Sequence, residues 1–293
     1  MTAVKEKAYA KINLYLDVNE KREDGFHNIK TVMHSVSLSD DITVSVSASK
    51  EIFVKLSVCG NRFLPSDSKN LAYRAAVLFL ERLGVSAKVE IKLVKRIPIS
   101  AGLAGGSSDA AAVLRCLNKI YKRPFTVKEL CKIGAELGSD VPYCIVGKTA
   151  LCEGRGEKMT RIYTNASLNV VVASAGEHVS TPEAYGELDK KYSDFDGSVP
   201  TDSKKYYTEL MKALKSGETV KDGMYNIFES VVLEKCQRSK KLKDELLALG
   251  ASSVIMSGSG PSIFAIFETK NEAENAKNTI VEKGYNAWCA KSI

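Results

Sequence analysis

Long hydrophobic runs are missing from this sequence. It contains no stretch of about 18 apolar residues, so we expect no membrane-spanning helix and no membrane partner. The first residues carry charges of both signs and no apolar segment, which predicts neither a signal peptide nor a transit peptide. The seven cysteines are an odd number and include no Cys-x-x-Cys pair. We therefore expect reduced thiols and a cytoplasmic protein.

Histidine is scarce, and common metal-binding and RNA-binding patterns are absent. The three histidines show no His-x-x-x-His spacing, so the sequence predicts no zinc site. It also has no RNP-type aromatic motif and no dense tract of arginine and lysine, so we expect no nucleic-acid partner. The net charge of +7 fits an anionic partner such as a nucleotide, a nucleic acid or an acidic lipid, and it does not choose among them.

The residues that are present indicate a globular protein with two domains. The chain has 293 residues, of which 44% are apolar and 26% charged. These proportions are typical of a protein with a substantial core. At about 100–200 residues per domain, the length predicts two domains. The pattern of the sequence changes near residue 165, which places the domains at 1–164 and 165–293.

Local periodicity predicts both strands and helices. Residues 8–18 alternate apolar and polar side chains, which indicates a strand with one buried face and with Lys11 and Asn13 on the other. A helix is expected from about Ser107 to Tyr121, and a capping box at 126–129 predicts another. Further helices are expected at about 204–216, 223–235 and 239–249, after a polar surface loop at 189–204.

The strongest chemical signal is a run of small residues at 98–111, between a predicted strand and a predicted helix. Small residues let the backbone approach an anion, and the free N–H groups of a helix N-terminus point at it. No Gly-Lys-Ser/Thr follows the run, so it is not a Walker A loop. Taken alone, it is equally compatible with a phosphate site and with a tight turn capped by serine.

Four weaker signals each have a simple structural interpretation. Ser-Gly-Ser-Gly-Pro-Ser at 257–262 fits a flexible hairpin loop, and an acidic residue in Gly-Ser-Asp-Val-Pro at 138–142 fits the dipole of a helix. Lys11 and Asn13 could be solvated polar residues or could line a cleft. A Phe-His pair within Asp-Gly-Phe-His at 24–27 is more often packing than recognition.

The combination is more specific than its parts. Ala-Lys-Ile-Asn-Leu at 10–14, then the runs at 24–27, 98–111, 138–142 and 257–262, resemble the ordered motifs of the GHMP kinase superfamily. Within it, they are most similar to the 4-diphosphocytidyl-2-C-methyl-D-erythritol kinases, along essentially the whole chain. The resemblance implies a two-domain α+β fold. Its N-terminal domain would be a ribosomal-protein-like α/β domain and its C-terminal domain a ferredoxin-like α/β sandwich.

The resemblance also implies an activity and its residues. The enzyme would use ATP and Mg²⁺ to phosphorylate the 2-hydroxyl of 4-diphosphocytidyl-2-C-methyl-D-erythritol, in non-mevalonate isoprenoid precursor biosynthesis. Asp140 would accept the hydroxyl proton, and Lys11 would hold Asp140 and neutralise the transferred phosphoryl group. The other implied residues are Pro98, Gly102, Leu103, Ala104, Gly105, Gly106, Ser107 and Ser108 for ATP, Asn13, Phe26, His27, Thr181 and Tyr185 for the substrate, and Gly258, Ser259 and Gly260 for a supporting loop. Ser107 is the one candidate ligand for Mg²⁺.

The sequence departs from the family pattern at a few positions. Ser100, Ala101 and Ala104 stand where many members of the superfamily carry glycine, and Asp109 stands where asparagine is common. Phe26 replaces a tyrosine, which would keep a stacking contact and lose a hydroxyl. The changes at 100, 101, 104 and 109 affect the detailed geometry of the phosphate loop.

Two alternatives stay open from the sequence. The first is another kinase of the superfamily, acting on an alcohol such as homoserine or mevalonate. The second is an RNA-binding protein, because of the ribosomal kinship of the N-terminal fold and the +7 charge. Salt-sensitive retention of RNA without kinase turnover would favour the second alternative. The sequence does not predict the oligomeric state.

Overall fold

The computed structural model describes residues 2–192, 203–217, 220 and 222–293. They fold into two compact units that alternate along the chain. The first unit contains residues 2–10, Ser39–Ile99 and Ala104–Gly147. The second contains Lys11–Leu38, Ser100–Leu103 and the described residues from Lys148 onward. The predicted division at residue 165 assumed two continuous pieces and stays a prediction, whereas the packing units are discontinuous.

Two long strands contribute to both units. They are β1 (Thr2–Lys21) and β2 (His27–Ala48), which are hydrogen-bonded neighbours. In the first unit, β4 (Ala87–Val94) pairs antiparallel with the end of β2, and β3 (Phe53–Cys59) pairs parallel with β4. The sheet order on this side is therefore β3–β4–β2–β1.

Helices cover the sheet of the first unit. They are α1 (Leu71–Leu83), α2 (Gly105–Ile120), α3 (Val127–Ala135) and α4 (Val141–Val146). The apolar faces of α1 and α2 pack with the alternating side chains of β4 into one core that includes Phe79, Leu80, Ile91 and Leu114. The predicted capping box of α3 is confirmed, since Thr126 and Glu129 satisfy each other's backbone N–H groups.

The second unit extends the first sheet and adds another. In the extension, β5 (Thr149–Gly154) pairs antiparallel with β2, and β6 (Lys158–Arg161) pairs with β5. The two-residue strand β8 (Tyr225–Asn226) pairs parallel with β1. The additional sheet is antiparallel, in the order β11–β7–β10–β9, and its strands are β7 (Asn169–Ser174), β9 (Ser253–Met256), β10 (Ile263–Phe267) and β11 (Asn286–Lys291).

The helices of the second unit supply the rest of its core. They are α5 (Thr181–Lys191), α6 (Ser203–Ser216), α7 (Glu229–Lys235), α8 (Gln237–Ala248) and α9 (Lys270–Glu282). None of the helices formed by the described residues combines the length and the apolar character that a membrane crossing requires.

Three details of the predicted pattern need correction. The helix expected at 223–235 begins only at Glu229, because Tyr225 and Asn226 form β8 against β1. The loop expected at 189–204 begins later, since α5 continues to Lys191, and residues 193–202 lie outside the described residues. The helix predicted from Ser107 begins two residues earlier, at Gly105.

Candidate active site

Lys11 lies on the polar face of β1, and that face is buried rather than open. Only 4% of the residue is exposed. The Nζ atom donates to Asn13 Oδ1 at 2.7 Å and to the carbonyl of Gly102 at 2.8 Å. Among the described residues the ammonium forms no ion pair, and its third N–H has no acceptor. Because a buried charge without a counter-ion is costly, this arrangement is typical of a site for an anion.

Asn13 connects Lys11 to two other segments of the second unit. Its Oδ1 accepts from Lys11 Nζ and, at 2.9 Å, from the backbone N–H of Gly258. Its Nδ2 donates to Thr31 Oγ1 at 2.8 Å, and Thr31 donates in turn to the carbonyl of Tyr15. The amide thus makes three hydrogen bonds inside the protein. Asn13 holds Lys11 in place, and its expected contact with substrate stays a prediction.

The glycine-rich run at 257–260 approaches residues 100–103 closely. Gly102 has a φ of +68°, and a Cβ atom on it would lie 2.0 Å from the carbonyl oxygen of Ser257. Ser257 Oγ donates to the Gly102 carbonyl at 3.0 Å. Asn226 holds the run from the other side, donating to the carbonyls of Met256 and Gly258. No local pattern around Asn226 predicts this role.

The same run contacts the start of α5. Ser259 Oγ and Thr181 Oγ1 are 2.9 Å apart, and Gly260 donates to the carbonyl of Ser257. Ser180 caps α5 by accepting from the N–H of Glu183. The structure therefore brings together the predicted residues Thr181 and Ser259, in the same unit as Lys11 and Asn13.

Two residues of α5 contact the imidazole of His27, one at the edge of the ring and one on its face. Its Nε2 is 2.7 Å from Asp189 Oδ1, and Lys21 Nζ is 2.6 Å from Asp189 Oδ2. The imidazole stacks on the ring of Tyr185, with centroids 5.0 Å apart and planes at 24°. Although burial opposes it, the hydrogen bonds from Lys21 and His27 hold the pKa of Asp189 below its ordinary value. The sequence did not single out Asp189 or Lys21.

Phe26 lies beside a different cation. Half of the residue is exposed, and the guanidinium carbon of Arg155 lies 3.7 Å from the centroid of its ring. That distance is typical of a cation–π contact. Tyr185 stacks on His27, so the expected arrangement, in which Phe26 and Tyr185 cover the two faces of one base, stays a prediction.

In the first unit, α2 begins without a side-chain cap. Ala104 occupies the capping position with a φ of +54° and accepts no capping bond through its side chain. The first N–H groups of a helix have no partner within the helix, so those of Gly105, Gly106 and Ser107 can bind an anion. The hydroxyl of Ser108 donates to the carbonyl of Tyr9, so its hydrogen is already used in a hydrogen bond within the protein.

The other residues predicted for this region are Pro98, Leu103, Ser107 and Asp140. Pro98 is half-buried, and Leu103 is buried. Ser107 Oγ would lie 4.0 Å from a Cβ atom on Gly138, so this hydroxyl faces the turn that precedes α4. Asp140 is the N-terminal capping residue of α4, yet its carboxylate makes no capping hydrogen bond. In the described part of the chain, the carboxylate has no hydrogen-bond or ion-pair partner.

A buried ion cluster lies beneath the start of α2. Lys95 Nζ contacts Asp40 at 2.5 Å and Asp109 at 2.7 Å, and a Cβ atom on Gly105 would lie 2.9 Å from this Nζ. Asp40 also accepts from the backbone N–H of Ile97, whereas Asp109 Oδ1 has no partner among the described residues. One ammonium therefore faces two carboxylates. The alternation of β4 places Lys95 at a buried position, which is the signal that sequence reasoning could have used.

Comparisons with known proteins agree with this architecture. Two family profiles match the chain, the GHMP kinases N terminal domain over residues 70–148 and the GHMP kinases C terminal over residues 210–286. A 4-diphosphocytidyl-2-C-methyl-D-erythritol kinase of Clostridium kluyveri is 43% identical over 289 residues, which cover 98% of this chain and 99% of the relative. The chain belongs to the 4-diphosphocytidyl-2-C-methyl-D-erythritol kinase family.

Membership of this family confirms the predicted fold class and makes the protein a small-molecule kinase. GHMP kinases use ATP as the phosphoryl donor. A crystal structure of a 4-(cytidine 5'-diphospho)-2C-methyl-D-erythritol kinase matches with a TM-score of 0.82 and 32% identity, over 99% of both chains. A homoserine kinase from Cytophaga hutchinsonii matches with a TM-score of 0.74 at 20% identity, over 100% of this chain and 95% of that one. The second likeness concerns the fold alone.

The loop at 100–104 gives a matched pair of stability predictions. Gly102→Ala should lower stability by at least about 2 kcal/mol, because its Cβ would overlap the Ser257 carbonyl and would force a left-handed alanine. Ala104→Gly should leave stability unchanged or raise it by up to about 1 kcal/mol, because glycine removes the strain of the positive φ. Thermal unfolding followed by circular dichroism measures both. A Gly102→Ala protein as stable as the parent would contradict the close approach.

A second prediction concerns the pH dependence of stability. Burial raises the pKa of Asp109 from its ordinary value of 3.8 to about 8. Between these pH values the folded protein keeps a proton that the unfolded chain has released, so stability falls as pH rises. Asp109→Asn resembles the protonated acid and leaves Lys95 paired with Asp40. Its stability relative to the parent should therefore increase with pH.

The control for this measurement is Asp244→Asn, at an exposed position of α8. This variant should track the parent at every pH. Denaturant unfolding at several pH values gives the comparison. A constant difference between Asp109→Asn and the parent would show that Asp109 is ionised in the folded protein.

Proposed function

We propose that this kinase transfers the γ-phosphoryl group of ATP to the 2-hydroxyl of 4-diphosphocytidyl-2-C-methyl-D-erythritol. The assignment of the substrate rests on the near-full-length similarity to a curated kinase of that name. The chemistry rests on one structural observation, which is the buried ammonium of Lys11 without an ion-pair partner among the described residues. The reaction belongs to the non-mevalonate route to isoprenoid precursors.

Lys11 is suited to stabilise a transferring phosphoryl group. Phosphoryl transfer depends mainly on positioning and on electrostatic stabilisation of charge on the equatorial oxygens. Two of the three N–H donors of Lys11 are fixed by Asn13 and by the Gly102 carbonyl. The third N–H is therefore held in one direction, and little reorganisation is needed when it meets an anionic oxygen.

Asp140 is suited to accept the proton of the attacking hydroxyl. Asp140 is half-buried, and its carboxylate makes no capping hydrogen bond at the start of α4. A general base needs a lone pair that the substrate can reach and a position that is held in place. The capping position at the start of a helix holds the backbone of Asp140 in place. In this proposal, Asp140 takes the proton while Lys11 neutralises the phosphoryl oxygens.

The start of α2 is suited to the phosphates of ATP. The N–H groups of Gly105, Gly106 and Ser107 open the helix, and the absence of a side-chain cap leaves them to an external acceptor. Mg²⁺ takes most of its ligands from phosphates and water, with one or two from the protein. The Ser107 hydroxyl, which has no hydrogen-bond partner in the described part of the chain, fits as one such ligand. A bound Mg²⁺ would neutralise charge on the phosphates.

Aromatic groups in the second unit support a nucleotide-linked substrate. His27 is buried and stacks on the half-buried Tyr185, and Phe26 presents a half-exposed ring. A cytosine offers a flat face for stacking and a polar edge for hydrogen bonds. Homoserine has neither feature, so these side chains favour the cytidine substrate over the superfamily alternative.

A substrate panel tests the proposal directly. The full chain is incubated with ATP, Mg²⁺ and either 4-diphosphocytidyl-2-C-methyl-D-erythritol, mevalonate or homoserine, and the products are followed by phosphorus NMR. We expect a new phosphomonoester signal only in the reaction that contains 4-diphosphocytidyl-2-C-methyl-D-erythritol. Turnover of mevalonate or homoserine at a comparable kcat/KM would overturn the assignment.

Asp140→Asn should keep the fold and lower kcat by about 10²–10⁴, because the amide cannot accept the proton. The matched control is Asp244→Asn, the same change at an exposed position of α8. Steady-state kinetics and a thermal melt are measured for both variants. Near-normal turnover by a folded Asp140→Asn protein would remove Asp140 from the mechanism.

Lys11→Met should lower kcat by about 10²–10³, because it removes the charge and keeps much of the length of the side chain. Lys5→Met is the control, since Lys5 is exposed on the same strand. The two variants are compared by steady-state kinetics. An effect of Lys11→Met on the KM for ATP alone would assign Lys11 to binding and not to the chemical step.

A further inference from the structure

His34 is a buried histidine with one unsatisfied ring nitrogen. It belongs to β2, and only 2% of the residue is exposed. The pairing of β2 with β5 places His34 opposite Thr149, and its Nδ1 is 2.8 Å from the Thr149 hydroxyl oxygen. The Nε2 atom is buried and has no hydrogen-bond partner among the described residues. Because an unpaired buried polar atom is costly, this nitrogen indicates that a water or a ligand binds beside it.

His34 lines a cavity of about 360 Å³ with a basic character. Lys148 and Arg161 also line it, and none of its described lining residues is an aspartate or a glutamate. The guanidinium carbon of Arg161 lies 5.1 Å from the ring centroid of Tyr163, and within the described ranges Arg161 forms no ion pair. Burial, assisted by the charge of Lys148, lowers the pKa of His34 to about 4, so its ring is neutral at physiological pH. The charges of this cavity therefore favour an anion.

Two hydroxyl groups of the cavity lining keep a hydrogen to donate. Ser292 forms an isolated bridge with Val36 of β2, and its Oγ accepts from the N–H of Leu168 at 2.7 Å. Thr164 Oγ1 accepts from the N–H of Ala166 at 3.0 Å. A hydroxyl that accepts one hydrogen bond still has its own hydrogen. No acceptor for either hydrogen is found in the described part of the chain, so both donors are left for a ligand.

We propose that this cavity is a binding site for a small oxyanion of the phosphate class. Its binding groups are Nε2 of His34, the guanidinium of Arg161 and the two hydroxyls. A phosphate offers several acceptor oxygens and, when monoprotonated, one O–H donor, so it satisfies Nε2 in either tautomer of the neutral ring. None of the residues assigned above to phosphoryl transfer is among the described residues that line this cavity, so the inference goes beyond the proposed function.

A site filled by water makes a different prediction. An ordered water also satisfies a buried ring nitrogen, and it needs no cation beside it. Added phosphate would then leave His34 unchanged, and loss of the charge of Arg161 would have no effect. The two occupants are therefore separated by the response of His34 to phosphate and by the dependence of that response on Arg161.

The experiment follows the imidazole nitrogens of the full chain by long-range ¹H–¹⁵N correlation NMR. The chain has three histidines, and the signals of His34 are those absent from His34→Gln. Inorganic phosphate, pyrophosphate and glycerol 3-phosphate are titrated separately, with potassium chloride at the same ionic strength as the reference. We expect a saturable shift of the His34 nitrogens with at least one of the three, and the tightest identifies the source of the phosphate group.

Shifts of His34 equal to those in potassium chloride would overturn the site, because water or a carboxylate of the chain itself would then satisfy Nε2. A response of His27 or His178 alone would place the phosphate elsewhere and would overturn it as well.

Arg161→Met tests the contribution of charge. It should weaken the phosphate affinity measured at His34 by about fivefold to tenfold, the usual effect of one lost charge-assisted hydrogen bond. Lys158→Met is the matched control, because Lys158 is exposed on the same strand and is not among the residues that line the cavity. Its affinity should equal that of the parent. Equal affinities for Arg161→Met and the parent would overturn the proposal.

Thermal melts establish that each variant is folded. If His34→Gln does not fold, the signals of His34 are identified by elimination from His27→Gln and His178→Gln. Arg161 is exposed, so Arg161→Met still tests the site in that case. None of these readouts depends on kinase turnover, so failure of this inference is distinguishable from failure of the proposed function.

Discussion

The cost of burying an ammonium group organises the site of the second unit. Lys11 is removed from water on a strand that is buried on both faces, and a charge in that position must find acceptors. They come from a neighbouring side chain, Asn13, and from the carbonyl of Gly102, which lies 91 residues further along the chain. Asn13 in turn binds the backbone of Gly258. Three segments that are distant in sequence thus converge because each satisfies part of one polar network.

Lys11 and Lys95, the two buried lysines among the described residues, are in opposite electrostatic situations. Lys95 faces two carboxylates, so its cluster has an excess of acid, and the raised pKa of Asp109 follows from burial in that cluster. Within the part of the chain that the structure describes, Lys11 faces neutral acceptors only, so its surroundings there have an excess of positive charge. The first arrangement joins β4 to the start of α2 within the fold. In the proposed function, the second arrangement is the one that would receive an anion.

Local patterns in the sequence predicted much of the fold and the positions of the main loops. The strand at 8–18, the helix that begins near Ser107 and the capping box at 126–129 all depend on neighbours within a few residues, and each is present. Contacts between distant segments could not be read in the same way. Strand β8 has two residues and exists because β1 offers it a partner. The polar face of β1 is buried for the same reason, since Thr31 and the run at 257–260 cover it.

On helix α5, residues that carried only a weak signal in the sequence share one face in the structure. Thr181, Tyr185 and Asp189 recur every four residues, so they occupy one face over two turns, spanning about 12 Å at ~1.5 Å per residue. The first contacts the glycine-rich run through Ser259, and the other two hold His27. One rigid helix therefore connects the loop that binds Asn13 with the imidazole. In the proposed function, this separation between the run beside Lys11 and the imidazole suits a nucleotide-linked alcohol, whereas a short alcohol would not extend from one to the other.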